Sequence, residues 1–511
     1  MTDLPWLTIL VLVPLVGAVA TALAPSSLSR NLGLATSGLA LLVGVLVATQ
    51  YQLDGGMQLT ETHAWIEALG VHWALGVDGL GLLMVLLTVV LVPLVILASW
   101  READEPGNGG VKGFVAWALA LEAMSLAVFT ATDVFLFYVV FEATLIPAYF
   151  LIGGFGREGR GRAATKFLIY QLAGGLVMLA SVIGLYVVSA DQGAPTFLLS
   201  ELAALEIDPV TQRWLFLGFF IAFAIKAPMF PVHTWLADTT EKATTGTSVL
   251  LVCVLDKIGT FGMLRFCLGL LPDASQWATP VVVALALVSI VYGALVAIGQ
   301  DDLLRLIGLT SLSHFGFIVL GIFVFSSQGA AGSILYMVNH GIGTAALFLV
   351  AGFLVRRTGT ASISAMGGVE KAAPVLAGIL LVAALAACGL PGLSPFVSEM
   401  LVLIAAFNHA WWVGVIAVTA IVLAAVYALW AYQRTMTGPP RPEVEAIADL
   451  DAREVGTLAP LVLGLVLFGF FPMPLLDVIN PHVTDTLSHV GVTDEPPVVT
   501  TEPAAVEGGH Q

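Results

Sequence analysis

Charge is what this sequence has least of, and positive charge least of all. Its 511 residues hold 19 Lys and Arg against 35 Asp and Glu, so only 11% are charged and the formal net charge is −16. Soluble domains carry about 25% charged residues, and the acidic balance argues against nucleic acid as a partner. Cysteine is nearly absent. Cys253, Cys267 and Cys388 form no CxxC and no Cys/His spacing suited to a metal, and three cysteines make no disulfide framework. Cys253 and Cys267 fall on one expected helix, about 21 Å apart at the helical rise, beyond disulfide reach. No GxGxxG follows a strand, no cysteine cluster suits an iron–sulfur centre, and no pair of haem ligands faces across helices. No cofactor-binding residues and no metal ligands are therefore expected in this chain.

Apolar sequence is what the chain has in abundance. Hydrophobic residues make up 58% of it, in runs of about 20, the length that spans a bilayer. Only helices and closed barrels satisfy their backbone in lipid, and the strict apolar alternation of barrel strands is missing. The reading is an all-α polytopic membrane protein with fourteen transmembrane helices. They fall near 6–24, 31–49, 79–99, 112–130, 132–154, 165–189, 211–230, 243–269, 276–298, 303–325, 329–355, 373–405, 409–433 and 455–478. Met1–Ala24 has Asp3 and no Lys or Arg ahead of its apolar core, so it reads as a retained span rather than a signal peptide. Asp133 is expected to N-cap the fifth span, and Asp301 and Asp302 to cap or flank the tenth. Lys226 and Lys257 lie inside spans. Of the other 17 basic residues, 15 fall in alternate loops and span ends on one side, and only Arg213 and Arg265 on the other. The positive side is cytoplasmic, which places both termini and the acidic loops 50–78 and 190–210 outside.

Two spans contain sequence that a regular helix does not tolerate. In Ile225–His233, Pro228 and Pro231 are expected to free the carbonyls of Ala224 and Ala227. In Cys388–Pro395, Pro391 is expected to free that of Ala387. Freed backbone at membrane depth survives only where it is buried in protein or lines a wet cavity. Interrupted helices in matching positions of two halves point to an inverted repeat with an ion path at its interface. The spacing agrees: Lys226 and Glu399 are 173 residues apart, Glu142 and His314 are 172 apart. Five helices (4–8) then match the next five (9–13), an odd number that inverts their orientation. The division is 1–111 for helices 1–3, 112–270 for the first repeat, 271–435 for the second inverted repeat, 436–478 for the last helix and 479–511 for an outward-facing acidic tail. Two unrelated proline kinks are the alternative.

Placing a charge at the centre of a membrane helix costs about 2.5–3.5 kcal/mol on insertion scales, which makes it a functional hypothesis by default. Glu142, Lys226, Lys257, His314, His340 and Glu399 lie on different spans of the bundle and form the candidate proton-handling set. Lysine suits proton storage, because burial disfavours its charge and a nearby carboxylate restores it. Each residue also has a plainer reading. Glu142 and Lys226 can be a static ion pair, the histidines packing residues, and Glu122 of the fourth span a group bonded to a neighbouring helix. Asp256 is a poor partner for Lys257, since adjacent helical residues point about 100° apart.

The motifs that carry these residues resemble a known family. Phe141-Glu142-Ala143-Thr144-Leu145-Ile146-Pro147, the stretch from Phe223 to Trp235, and Gln300–Arg305 followed by Ser313-His314-Phe315-Gly316-Phe317 resemble the antiporter-like subunits of respiratory complex I. So do Asn339-His340-Gly341, Gly389-Leu390-Pro391-Gly392 and Tyr432-Gln433-Arg434. The resemblance runs from about residue 75 to 475, and Glu399, where related branches usually have lysine, makes it closest to the M-type (chain 4) branch of bacterial complex I. It implies a proton-translocating, non-redox subunit of an NADH:quinone oxidoreductase in the bacterial inner membrane. Glu142 would pair with Lys226, Lys257 would relay, and Glu399 would be the terminal site. NAD, FMN, iron–sulfur clusters and quinone would sit in partner subunits, and L-type and N-type antiporter-like subunits would flank this one in the lipid bilayer. The chain departs from the family at Ala237, where proline is usual, at Ala243–Ser248, and at Asp256 beside the central lysine. An Mrp-type Na+/H+ antiporter subunit and a passive scaffold are the alternatives.

Overall fold

The structure is a computed structural model that describes residues 4–53, 55–101, 109–442 and 444–494. The apolar runs become helices, several of them started by an acidic or proline cap. In chain order these are α1 (Trp6–Leu23), α2 (Ser26–Gln50), α3 (Gly79–Ala98), α4 (Val111–Thr130), α5 (Val134–Ala143), α6 (Leu145–Gly154) and α7 (Arg160–Asp191). They continue with α8 (Leu199–Leu202), α9 (Pro209–Lys226), α10 (Thr234–Lys242), α11 (Thr245–Val249), α12 (Lys257–Gly262), α13 (Pro272–Ile298) and α14 (Leu303–Phe323). The last are α15 (Ser327–Thr358), α16 (Val369–Ala372), α17 (Pro374–Ala387), α18 (Ser394–His409), α19 (Trp411–Met436), α20 (Ala452–Phe470) and α21 (Met473–His489). The Asp133 side chain accepts from Leu136 N and caps α5, and Asp302 accepts from Leu304 N and Arg305 N to cap α14, as expected.

Among the described residues, twelve helices are long and apolar enough to cross a membrane, with α5 and α6 counted together and Thr245–Leu268 as one. The two other expected spans are the interrupted ones, α9 with α10 and α17 with α18. Burial sorts the bundle into an inner and an outer set. The membrane-length stretches of Thr245–Leu268 and α14 are wholly buried and that of α15 is 94% buried, whereas those of α2, α7 and α19 are 33%, 39% and 39% buried. Ile169, Leu176, Ile183 and Val187 leave an apolar face of α7 exposed, as a lipid-facing helix requires. Lys257, His314 and His340 therefore ride on the three innermost helices.

The Thr245–Leu268 helix is irregular. Wide π turns at Leu250–Leu255 and Met263–Leu268 flank α12, and Asp256 N donates to Leu251 O five residues back at 2.8 Å. Such bulges concentrate at functional sites. Its close approach to α9 depends on Gly259, where a Cβ would meet the Ala227 backbone N and the Phe223 carbonyl.

The two breaks dispose of their carbonyls differently. After Lys226, Met229 N donates to Ala224 O at 2.9 Å and Trp235 Nε1 to Ile225 O at 3.0 Å. The Ala224 carbonyl is thus not free as the sequence suggests, because the chain after Pro228 turns back far enough to cap it. At the second break Gly389, with φ +66°, closes α17, and Leu390 N reaches Leu385 O at 3.1 Å; a left-handed glycine ends a helix in this way.

Two parts of the expected loops are structured. Residues 58–77 form an antiparallel hairpin, β1 (Gln58–Ile66) and β2 (Val71–Val77), whose Glu61 carboxylate accepts from Leu7 N and Thr8 N at the start of α1. The last span ends earlier than 478, at Phe470, because Pro472 and Pro474 cannot continue the backbone ladder of α20. Residues 473–489, split by the sequence reading between last helix and tail, form α21 instead; residues 495–511 of that tail lie outside the described residues. On one side of α21, Arg265 binds both Asp78 oxygens at 2.5 and 2.8 Å, and His482 Nδ1 lies 3.0 Å from Asp78 Oδ2. Burial alone would raise the Asp78 carboxyl, but Arg265 and His482 outweigh it and hold it well below the usual carboxylate range. That pairing stabilises the fold at neutral pH, and the contribution is lost only as pH falls through the depressed value. Elsewhere Arg157 pairs with Asp302, and Arg305 joins Asp238 and Glu241.

Candidate functional site

The buried titratable residues fall into two groups. The first lies where α5 and α6 meet the end of α9. Pro147 cannot donate to the Ala143 carbonyl, and the helix hitches at Thr144. Lys226, the last residue of α9 and fully buried, donates from Nζ to Thr144 Oγ1 at 3.1 Å and lies 4.4 Å from the centre of the Phe141 ring. Glu142 is half-buried and faces α7, where Gly175 leaves room for its carboxylate; a Cβ there would overlap it. No direct ion pair joins Glu142 to Lys226 among the described residues, although each feels the other's charge. The expected contact is replaced by Lys226–Thr144. Residues 142 and 144 project about 200° apart on a helix, so a lysine facing Thr144 leaves Glu142 turned away. Oε1 of Glu142 has no hydrogen-bond partner.

The second group is connected. Lys257 Nζ lies 2.6 Å from His340 Nδ1 and 4.3 Å from the centre of the Phe315 ring. The rings of His340 and His314 are 5.2 Å apart, nearly perpendicular. His314 donates from Nε2 to the carbonyl of Ala387 at 3.2 Å, and the Tyr427 hydroxyl lies 3.3 Å from the same nitrogen. The carbonyl that Pro391 was expected to free is therefore met by a titratable side chain, and since a carbonyl only accepts, the proton of His314 sits on Nε2. Tyr336, one helical turn before His340, packs its ring 5.8 Å from His314 and donates its hydroxyl to Glu399 Oε1 at 2.5 Å. Gly389 gives the Glu399 carboxylate its space, since a Cβ there would overlap Oε2. Asn339 Nδ2 donates to Ser394 O at 2.8 Å and Ser398 Oγ at 3.2 Å, tying α15 to the start of α18.

The structure thus brings Lys257, His314, His340 and Glu399 into one network and leaves Glu142 and Lys226 as a neighbouring pair of side chains. Two members escaped the sequence reading. Tyr336 shares a helix face with His340 at i−4, and Tyr427 falls on the buried stripe of α19 with Ala417, Ala420 and Ala424. A phenol on a small-residue face was the available signal. Glu122 is buried with neither carboxylate oxygen hydrogen-bonded. Among the described residues, no three His, Cys, Asp or Glu side chains are placed to hold a metal ion. A Lys–His contact and a phenol on a carboxylate are groups that exchange protons over hydrogen-bond distances, and the two imidazoles lie side by side without a hydrogen bond between them. Among the described residues, buried His340 Nε2 and His314 Nδ1 have no hydrogen-bond partner, which marks the link that a ring rotation or a water would close.

The sequence model of the family described as NADH:quinone oxidoreductase/Mrp antiporter, TM, matches residues 131–424. The NADH-quinone oxidoreductase subunit M of Mycobacterium tuberculosis (strain H37Rv) is 49% identical over 98% of this chain and 97% of its own length. Among solved structures, a chain of respiratory complex I from Thermus thermophilus with bound NADH superposes with TM-score 0.87 at 35% identity, over 95% of this chain and all of that one. A chain of the Mrp complex from Dietzia sp. DQ12-45-1b shares the fold, with TM-score 0.84 at 22% identity over 96% and 100%.

Proposed function

The chain belongs to the NADH:quinone oxidoreductase/Mrp antiporter transmembrane family, in its subunit M branch, and from that premise we propose that it carries protons through the membrane arm of a respiratory NADH:quinone oxidoreductase. The observation that carries this reading is the contact series from Lys257 through His340, His314 and the Tyr336 and Tyr427 hydroxyls to Glu399. Protons are taken up on the cytoplasmic side near α5–α10, load Lys226, and move by way of Lys257, His340 and His314 to Glu399. The half-buried Glu142 is the partner that Lys226 gains or loses as the cycle advances, and because their titrations are coupled, moving one changes the proton affinity of the other.

The chain acts as a non-redox translocase subunit. NAD, FMN, iron–sulfur clusters and quinone belong to partner subunits, and L-type and N-type antiporter-like subunits flank it. Counting each interrupted pair as one crossing gives fourteen spans, with α4–α10 and the helix to Leu268 repeated in inverted form by α13–α19. Both termini lie outside in this reading, which the collection of 15 basic residues at one side supports. The sodium-antiport reading has behind it the family description that includes Mrp antiporters and a shared fold at 22% identity, against a subunit M relative at 49% identity.

Lys257→Arg tests the relay. Arginine keeps the charge but does not release its proton. Complex assembled with this variant is expected to accept electrons from NADH and to lose proton pumping. Pumping at the normal rate would refute the role.

A further inference from the structure

The proposed path has a gap. Lys226 reaches Thr144 and Lys257 reaches His340, and no hydrogen bond joins the two lysines. Asp256 occupies the interval. It is fully buried, neither carboxylate oxygen has a hydrogen-bond partner among the described residues, and it interacts electrostatically with both Lys257 and Lys226. Its placement follows from the helix. Gly259 lies against the backbone of Ala227, next to Lys226, and residues i and i+3 share a helix face, so Asp256 lies on the face turned to the end of α9. Lys257, about 100° further round, points the other way to α15. A π turn ends at Asp256, whose N–H donates to Leu251 O.

A buried carboxyl without a partner is costly relative to a satisfied one. Such a group calls for an explanation, and a proton-handling role is one of the recognised ones. Packing does not account for it, because an apolar side chain of the same size would fill the space without that penalty. Glu122, likewise fully buried and without a hydrogen-bond partner among the described residues, shows no interaction with either lysine.

We propose that Asp256 is the proton relay between the two groups. The Lys226 ammonium gives a proton to the Asp256 carboxylate, leaving a neutral amine and a carboxylic acid. The acid then protonates the neutral amine of Lys257, which becomes an ammonium and returns the carboxylate. No other reactant is consumed. The inference rests on the proposed pumping function, and it assigns to this chain a residue that the usual motif of the family lacks.

The experiment compares NADH-driven proton pumping by the complete complex carrying Asp256→Asn, Asp256→Glu or Lys257→Arg. Asparagine matches the shape and does not ionise, so pumping is expected to fall by about tenfold or more, with NADH oxidation by the peripheral redox part retained. Glutamate is expected to restore at least half of it. Wild-type pumping with Asp256→Asn overturns the relay, and so does a glutamate variant as inactive as the asparagine one. Should the asparagine chain fail to assemble, Asp256→Ser is read in its place under the same criteria. Loss with Lys257→Arg but not with the asparagine variant removes Asp256 alone; normal pumping with Lys257→Arg removes the wider reading.

Discussion

The two interrupted helices begin alike and end in opposite arrangements. At the first, the backbone and Trp235 absorb the carbonyls of Ala224 and Ile225, and the charged residue beside the break donates to Thr144 and lies over the Phe141 ring. At the second, the Ala387 carbonyl is bound by His314, and Glu399 is held by Tyr336 and set against Gly389. The first site is loosely held, with a half-buried glutamate whose lysine has another partner. The second is a fixed network. A loosely held pair can respond to a conformational signal, while a fixed network can conduct; under the proposed function, control would fall to the first site and transfer to the second.

If the second network conducts, Glu399→Gln should cost most, lowering NADH-driven pumping about a hundredfold in assembled complex. A loss no greater than that of the changes below would break the comparison. Tyr336→Phe removes a hydrogen bond to a charged group, worth about 1.5–3 kcal/mol, and should slow pumping about tenfold; an unchanged rate would take Tyr336 out of the path. At the first site, Thr144→Val deprives Lys226 of its alternative partner and should shift it to Glu142, with pumping about threefold slower. A new Lys226–Glu142 contact in the variant's structure would sharpen the assignment. Gly175→Ala only displaces the flexible carboxylate of Glu142 and is expected to cost about twofold; an effect as large as that of Glu399→Gln would show the first site to be as fixed as the second.

Much of this was legible in the sequence. Apolar run length located the membrane helices, and buried charge located Lys226, Lys257 and Glu399, because both signals are local. The proline pairs marked the breaks. What the breaks do with their carbonyls was not legible, since Met229 reaching Ala224 and His314 reaching Ala387 are decided by three-dimensional approach. The π turns around Lys257 left no mark in an apolar run such as Leu250–Leu255, whereas the 100° step between adjacent helical residues already turned Asp256 and Lys257 to different neighbours. The expected Glu142–Lys226 contact failed for a similar reason: sequence shows that both charges exist but not that Thr144 lies nearer the lysine. The sequence reading makes the hairpin at 58–77 a loop and splits α21 between the last span and the tail, because a search for long apolar runs passes over short amphipathic elements.

The most direct test of a continuous path is a water-resolved experimental structure of the assembled complex. The account predicts ordered waters or side-chain contacts joining Lys226, Asp256, Lys257, His340, His314 and Glu399, with a water or a rotated ring between His340 Nε2 and His314 Nδ1. A dry apolar barrier between Lys257 and Glu399 in every state of the complex would contradict it.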